Sequence, residues 1–269
     1  MRDGLSDALA QVRALRVQAD ARAERDDAVV VEAPVALLYN GQPFAVMMAT
    51  PCDLEDFALG FALSEGIVAT TDEFRLVDVL RGEEGVALHA AIPQVRYDAL
   101  ADRRRNIEGR SGCGLCGVEA LQDALRPVPR VQPSLTVSPM EIRATLAALA
   151  QHQPLNALSG GVHAAGFAHP GGLLVREDVG RHNALDKLIG ALGHARIDTR
   201  SGFLVITSRA SYEIVHKAAT AEISIVVAIS APTDLAIRIA DEAGITLAAF
   251  ARGDTLNLYT HQQRIAGMA

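Results

Sequence analysis

Short apolar runs alternate with amphipathic segments through the second half of the chain, and this alternation limits the fold more than any other feature. Apolar runs predict strands over residues 172–176, 203–207, 225–229 and 246–250. A helical period predicts helices over residues 181–192, 212–221 and 234–243. Because strand, helix and strand at this spacing form crossover units, we predict a layered α/β domain with a mostly parallel sheet.

Polar residues cluster in the loops after these predicted strands, where open α/β sheets bind ligands. Helix N-termini flanked by arginine, serine and lysine suit phosphate groups, because free N–H groups and guanidinium groups match anionic oxygens. We therefore predict a phosphorylated ligand. The predicted ligand-binding residues are Asp178, Arg181, His182, Asn183, Lys187, Ser208, Arg209 and Ser211. The alternative, that a given residue only caps a helix or solvates a loop, stays open for each of them.

The first half of the chain has hairpin signals and one helical segment instead. Apolar runs on both sides of Asn40-Gly41 predict a β-hairpin. Asp53 is a candidate N-cap for a helix that ends near Ser64. Two more strands are predicted over residues 74–80 and 86–92, so we expect a smaller α+β domain with antiparallel strands.

Composition and capping give the domain boundaries. Residues 1–27 are rich in alanine and charge without a firm apolar stripe, so we expect an arm that is disordered or helical. The α+β domain is predicted over residues 28–133 and the α/β domain over 134–269. A capping box at residues 138–141 predicts a helix to about residue 151.

A pair of cysteines lies in a basic, glycine-rich loop near the end of the first domain. Cys113 and Cys116 are separated by two residues, and four glycines fall within residues 109–117. Glycine leaves the thiols without bulky cover, and nearby cations favour the thiolate, which is the form that attacks or carries sulfur. The cations are Arg103, Arg104, Arg105 and Arg110. We therefore predict that both cysteines are reactive.

The cysteine spacing alone allows several roles. A structural zinc site normally needs two further ligands, and the only other cysteine is Cys52, for which we expect burial in the core. A thioredoxin-like dithiol, a sulfur carrier and a pair of inert cysteines also stay open. A zinc deaminase is disfavoured, because His163 is not followed by the glutamate of the His-x-Glu signature and the cysteine pair precedes it.

Charge and cysteine content exclude some partners. The net charge of -7 argues against nucleic acid as the main partner. No apolar run approaches the roughly 18 residues that a membrane span needs. Three cysteines in a chain of 269 residues do not form a disulfide framework, so we expect a protein of the reducing cytoplasm.

Four segments together resemble the formate dehydrogenase accessory sulfurtransferases, the FdhD/NarQ family. They are Cys113-Gly114-Leu115-Cys116-Gly117, the block from Asp178 to Lys187, the run from Thr207 to Glu213, and Gly244-Ile245-Thr246-Leu247. The resemblance extends from about Val31 to near the C-terminus. It implies a C-terminal domain similar to the cytidine deaminase fold without the zinc chemistry, and a homodimer.

The resemblance also implies a function. Members of the family look like sulfur relays that accept persulfide sulfur from a cysteine desulfurase and pass it to the bis-molybdopterin guanine dinucleotide cofactor of formate dehydrogenase. Cys113 corresponds to the persulfide cysteine and Cys116 to its helper, and no resident metal is expected. The cofactor-binding stretch corresponds to Phe250, Ala251, Arg252, Gly253, Asp254 and Thr255. A molybdenum-cofactor chaperone without sulfur transfer and a dithiol oxidoreductase remain the alternatives.

Overall fold

In the described residues, 5–100, 127–133 and 135–267, the computed structural model has two main sheets and one separate hairpin. The first elements are α1 (Leu5–Ala8), β1 (Leu9–Gln18), β2 (Ala21–Val30), β3 (Ala33–Tyr39), β4 (Gln42–Ala49), α2 (Leu54–Ser64), β5 (Arg75–Gly82) and β6 (Gly85–Ala91). The later ones are α3 (Pro139–Gln151), α4 (Pro154–Ser159), β7 (His163–His169), β8 (Gly172–Asp178), α5 (Arg181–His194), β9 (Phe203–Ile206), α6 (Tyr212–Thr220), β10 (Ile225–Ala228), α7 (Asp234–Ala243), β11 (Thr246–Arg252) and β12 (Thr255–Leu258).

Strands β1 and β2 form a long antiparallel hairpin, so the expectation that residues 1–27 are a disordered or helical arm was wrong from Leu9 onward. The two strands pair continuously from Leu9 opposite Val30 to Gln18 opposite Ala21. The side chains of Arg13 and Glu24 form an ion pair across the hairpin. Such cross-strand pairs stabilise a ribbon, but most side chains of β1 and β2 are exposed, so the sequence of the hairpin has no apolar period to recognise.

A four-stranded sheet in the order β4-β3-β6-β5 follows the hairpin. The predicted turn is confirmed, since Asn40 and Gly41 both have positive φ, 50° and 80°. Helix α2 covers one face of this sheet and buries Phe57 and Phe61 against it. Strands β3 and β6 pair in parallel, whereas the sequence predicted antiparallel strands throughout. A tight turn joins β5 to β6, but α2 lies between β4 and β5, so no turn sets the direction of the β5–β6 hairpin relative to β3.

The larger sheet has the order β12-β11-β10-β9-β7-β8 and is mixed, so the prediction of a mostly parallel sheet was wrong. Strands β9, β10 and β11 are parallel to one another, as their crossover helices require. The β7–β8 and β11–β12 pairs are antiparallel hairpins, and β7 also pairs antiparallel with β9. No strand was predicted at β7, and β7 is the strand that pairs antiparallel with both β8 and β9.

Helices cover both faces of this sheet, as a layered α/β fold requires. On one face, α5, α6 and α7 pack on alternate strand residues such as Leu204 and Val226. On the other face, α3 packs on the intervening residues such as Val205 and Val227. The capping box that begins α3 is confirmed: the Ser138 hydroxyl accepts from the main-chain N–H of Glu141.

Two glycines let the two layered units meet. Helix α2 of the first unit packs closely on α5 of the second. A Cβ atom on Gly60 would overlap the main-chain oxygen of Asp186, and one on Gly190 would overlap that of Asp56. Only glycine permits so close an approach of the two helix backbones. The domain boundaries at residues 27 and 133 stay a prediction.

Candidate functional site

Four strands of the larger sheet end at one edge. Strands β9, β10 and β11 are parallel, and β8 runs in the same direction because β7 is antiparallel to both β8 and β9. Their carboxyl ends therefore bring together the loops in which the sequence placed the ligand-binding residues. We call this edge, with the loops at residues 177–183, 208–213, 230–233 and 250–255, the strand-end edge.

One arginine and two histidines, here called the Arg181 cluster, lie at one end of the strand-end edge. Arg181 begins α5 directly after β8, and its Nε atom is buried with no hydrogen-bond partner in the described residues. His163 begins β7, and His182 follows Arg181. An unpaired buried guanidinium nitrogen is a donor that an anionic group can satisfy.

Burial and the charge of Arg181 keep both imidazoles of this cluster neutral. Burial lowers the pKa of His163, and Arg181 lowers it further. The same two causes, in the same order, lower the pKa of His182 to about 4. The His182 Nε2 atom lies 2.6 Å from Glu213 Oε2. Since a carboxylate only accepts hydrogen bonds, the Nε2–H group of the neutral imidazole donates a hydrogen bond to Glu213.

Hydroxyl groups and main-chain turns continue the site toward the centre of the sheet. Ser211 lies before α6, and its Oγ is 3.5 Å from His182 Nε2. The buried Ser208 hydroxyl donates to the carbonyl of Arg209, whose own side chain is exposed. The main-chain N–H of Ala210 donates to the carbonyl of Ala231 in the neighbouring loop, 3.1 Å away. The serines and Arg209 are therefore on the same edge as Arg181 and His182, as predicted.

The turn between β11 and β12 forms the far end of the strand-end edge. A register shift falls between Ala249 and Arg252, and Phe250 is 43% exposed with φ of 52°. Arg252 Nε donates to the carbonyl of Ile229 at the end of β10. Gly253 also has positive φ. Gly253 and Asp254 form the turn itself, so the predicted stretch from Phe250 to Thr255 comprises the end of β11, this turn and the start of β12, at the same edge as the Arg181 cluster.

Three other predicted ligand-binding residues are buried and use their polar atoms inside the protein. Asp178 is fully buried; its Oδ2 accepts from the main-chain N–H of Thr50 and from Lys187 Nζ, 2.7 Å away. Asn183 donates to the carbonyl of Met48. Lys187 donates to the carbonyl of Thr50. These residues connect β8 and α5 to the segment after β4, and their role as direct cofactor ligands stays a prediction.

Cys52 is buried, as expected, but beside a charge that the sequence did not reveal. Its Sγ lies 3.7 Å from Lys187 Nζ. Burial raises the pKa of the Cys52 thiol, and the nearby ammonium opposes this only in part. Asp53, next to it, precedes α2 with φ of 50° and without a side-chain capping bond, so its expected N-cap bond is absent.

A second buried ionic cluster was missed because nothing in the sequence distinguishes its residues from surface charges. Asp186 is 1% exposed and contacts Lys217 Nζ at 2.9 Å. Lys217 also donates to Ser64 and Glu65 at the end of α2. Burial alone would lower the pKa of Lys217, but the two carboxylates raise it. Lys217 is therefore charged and connects α6 to α2.

Several predictions concern residues outside the described part of the chain. The predicted loop with Cys113, Cys116 and the four nearby arginines falls within residues 101–126, which are not described. Residues 94–100 are helical. In the described residues no three histidine, cysteine or acidic side chains group as a metal site. The described helices include none that is both long and apolar enough to cross a membrane.

Comparison with known proteins gives a consistent picture. A model of the FdhD/NarQ family matches residues 30–266. The sulfur carrier protein FdhD of Xanthomonas campestris pv. campestris strain B100 is 56% identical over 241 residues, covering 89% of this chain and 86% of the relative. The protein of the same name from Variovorax paradoxus strain S110 is 47% identical over 244 residues, covering 90% and 88%.

A solved structure has the same fold. The crystal structure of a putative formate dehydrogenase accessory protein from Desulfotalea psychrophila matches with a TM-score of 0.73 over 96% of this chain and 99% of that one. At 24% identity this likeness concerns the fold alone. The family match and the identity to the curated relatives extend over most of the chain, and together they show that it belongs to the FdhD/NarQ family.

Proposed function

We propose that this protein is a sulfur carrier, a sulfurtransferase that takes persulfide sulfur from a cysteine desulfurase and relays it to the bis-molybdopterin guanine dinucleotide cofactor of formate dehydrogenase. The observation that carries the proposal is the 56% identity, over 89% of the chain, to a protein named sulfur carrier protein FdhD. The Desulfotalea psychrophila protein of the same fold is described as a putative formate dehydrogenase accessory protein, which agrees with the recipient enzyme.

Cys113 is the proposed carrier. Its thiolate attacks the terminal sulfur of the persulfide on the desulfurase, so that a new S–S bond forms on Cys113. The S–S bond on the desulfurase breaks, and the donor cysteine leaves as a thiolate. This exchange needs no added oxidant or reductant. Cys116 assists, and the arginines at residues 103–105 and 110 favour the anionic persulfide.

The strand-end edge is the proposed binding site of the acceptor. The cofactor carries pyrophosphate groups, and the unpartnered Nε of Arg181 fits an anionic oxygen. Four strand spacings separate β8 from β11, which is about 19 Å at the usual distance between strands. An extended dinucleotide can therefore reach from Arg181, His182, Ser208, Arg209 and Ser211 to the turn at residues 250–255. This edge is held in place by the buried side chains of Asp178, Asn183 and Lys187, which bond to the main chain of Met48 and Thr50.

Finer features follow from the same proposal. We assign the six-stranded unit to the cytidine deaminase-like fold and the four-stranded unit to a separate domain. We also propose that the protein is a homodimer that works in the cytoplasm, because a persulfide relay through free cysteines needs a reducing compartment.

The direct test is a sulfur-loading reaction. The protein is incubated with a cysteine desulfurase and cysteine labelled with sulfur-35, separated from the donor, and digested for mass spectrometry. We expect one additional sulfur atom on the peptide that contains Cys113, released by a thiol reductant. Cys113→Ala should carry no label and should leave formate dehydrogenase inactive in cells.

Cys52→Ala is the matched control, because Cys52 is buried beside Lys187 and should not load sulfur. Wild-type protein that binds the cofactor but never retains label would favour the chaperone alternative. A Cys113–Cys116 disulfide that turns over without label would favour the dithiol oxidoreductase.

A further inference from the structure

Helices α5 and α6 contact each other and both begin at the strand-end edge. Their N-cap residues, Gly180 and Ser211, make no side-chain capping bond. The first turn of α5 contains no acidic residue, and Arg181 is its first residue. Because uncapped N–H groups and a guanidinium group all favour negative charge, this end of the edge attracts anions.

Glu213 is an exception to this electropositive pattern. It lies in the first turn of α6, and its side chain is 55% exposed. Its Oε2 atom contacts Nε2 of His182, the residue that follows Arg181. Because that imidazole is neutral, the contact is a hydrogen bond that leaves the negative charge of Glu213 unbalanced. Over the described ranges of the chain, no lysine or arginine forms an ion pair with this carboxylate.

The carboxylates beneath the Arg181 cluster have cationic partners instead. Asp178 contacts Lys187 Nζ at 2.7 Å, and Glu65 contacts Lys217 Nζ at 2.9 Å. Both lysines are buried, so these charges are balanced inside the protein. Glu213 differs from them, because its partner is uncharged and its side chain reaches solvent. A ligand at this end of the edge therefore meets the charge of Glu213 directly.

This charge distinguishes two kinds of phosphate group. A phosphate that is substituted on both sides, as in the pyrophosphate of a dinucleotide, carries a single negative charge. A terminal phosphate carries about 1.5–2 negative charges near neutral pH. Repulsion by Glu213 therefore disfavours the terminal phosphate more strongly, although Arg181 and the two helix N-termini attract both kinds.

We propose that Glu213 is a specificity-determining residue, which makes the strand-end edge select a pyrophosphate substituted at both ends over a nucleotide that ends in a free phosphate. This inference rests on the proposed function, in which the edge binds a guanine dinucleotide. Free guanosine diphosphate contains the same guanosine and the same two phosphorus atoms as that part of the cofactor, so attraction alone does not reject it. A like charge beside the anion site does, because specificity requires an element that disfavours the wrong ligand.

The test compares guanosine diphosphate with guanosine diphosphate mannose, in which a sugar substitutes the terminal phosphate. Isothermal titration calorimetry of the full chain measures both affinities. Glu213→Gln removes the charge but keeps an oxygen that accepts from His182 Nε2. We expect the affinity for guanosine diphosphate to rise about fivefold more than the affinity for the mannose derivative, because only the free phosphate has the additional charge.

Two further variants control for charge and position. Glu213→Asp keeps the charge and should keep the wild-type ratio of the two affinities. Glu242→Gln makes the same change of net charge on an exposed residue at the C-terminal end of α7, away from the strand-end edge, and should also keep the ratio. If Glu213 only stabilised the start of α6, its replacement would change both affinities alike. Circular dichroism verifies that each variant is folded.

The outcomes separate this inference from the proposed function. An equal gain for both ligands in Glu213→Gln, or the same change of ratio in Glu242→Gln, would overturn the role of Glu213 and leave the proposed acceptor site in place. Failure of the wild type to bind either ligand would overturn the proposed acceptor site and this inference together.

Discussion

At the scale of single residues, Arg181 determines the chemistry of the strand-end edge. It is cationic, its Nε has no partner in the described part of the chain, and its charge helps keep His163 and His182 neutral. A site with one fixed cation and two neutral imidazoles attracts an anion and still offers hydrogen-bond donors that do not titrate near neutral pH.

Arg181→Gln should therefore weaken nucleotide binding. We expect a loss of about 10- to 150-fold in affinity for guanosine diphosphate, because a hydrogen bond to a charged group contributes about 1.5–3 kcal/mol. Isothermal titration calorimetry measures the affinity of both proteins for guanosine diphosphate. Arg200→Gln is the control, since Arg200 is exposed and paired with Asp198 away from this edge. Equal affinity in the wild type and Arg181→Gln would show that the guanidinium does not bind the phosphate.

The low pKa of His182 gives stability a defined pH dependence. The folded pKa is about 4, below the value of about 6.5 in an unfolded chain. Between these values the unfolded state binds the additional proton, so the free energy of unfolding should fall as pH decreases from about 6.5 to about 4. Urea denaturation at several pH values measures this slope.

His182→Gln should reduce the slope without removing it, because His163 has a lowered pKa from the same causes. His169→Gln is the control for a general effect of removing a histidine. An unchanged slope in His182→Gln would mean that this imidazole titrates alike in the folded and unfolded states.

At the scale of elements, the closest helix contact depends on glycine. The Cβ of alanine at Gly60 would meet the backbone of Asp186 in α5, and a backbone cannot move aside as a flexible side chain can. Gly60→Ala should destabilise the fold by about 3 kcal/mol or more, as overpacking does. Gly82→Ala is the matched control, because its nearest neighbour would lie 3.9 Å away, and it should change stability by less than about 0.5 kcal/mol. Chemical denaturation measures the free energy of unfolding of both variants. Equal values would show that α2 and α5 can move apart without loss of stability.

Elements specified by local signals were predictable from the sequence. Asn40-Gly41 and the capping box at Ser138 each act within a few residues, and the turn and the helix start are confirmed. The hairpin β1–β2 and strand β7 were not predicted, because β1 and β2 are exposed and rich in charge over most of their length and β7 consists largely of alanine, glycine and histidine, so neither has the apolar pattern of a strand. The direction of neighbouring strands is likewise a non-local property, which is why the parallel content of both sheets was misjudged.

The candidate site likewise has features that the sequence predicted and features that it did not. The loops were predictable, because the carboxyl ends of like-directed strands must share an edge. The sequence did not predict which charged residues near those loops face solvent. Asp178 and Lys187 look the same in sequence whether they bind a ligand or each other. Burial of such a pair depends on the segment around Thr50, more than a hundred residues away.

At the scale of the whole molecule, buried charges connect the two sheets into one unit. Lys187 binds the carbonyl of Thr50, after β4, and Lys217 binds Ser64 and Glu65, at the end of α2. Together with the glycine contact between α2 and α5, these bonds cross the junction at several points. We therefore expect both sheets to unfold in a single transition, with amide exchange in β3 and in β10 governed by the same free energy.

Lys217→Met tests this coupling. It leaves Asp186 buried without its cation, so we expect a loss of about 3–5 kcal/mol that lowers the stability of both sheets together. Adding Asp186→Leu removes the orphaned charge and should recover most of that loss, since an apolar pair of similar size can replace a buried ion pair. Urea denaturation combined with hydrogen exchange of peptides from β3 and β10 measures both effects. If β3 became exchangeable at lower urea than β10 in Lys217→Met, the two sheets would be separate folding units joined only by packing, and the ion pair would stabilise the junction without making it cooperative.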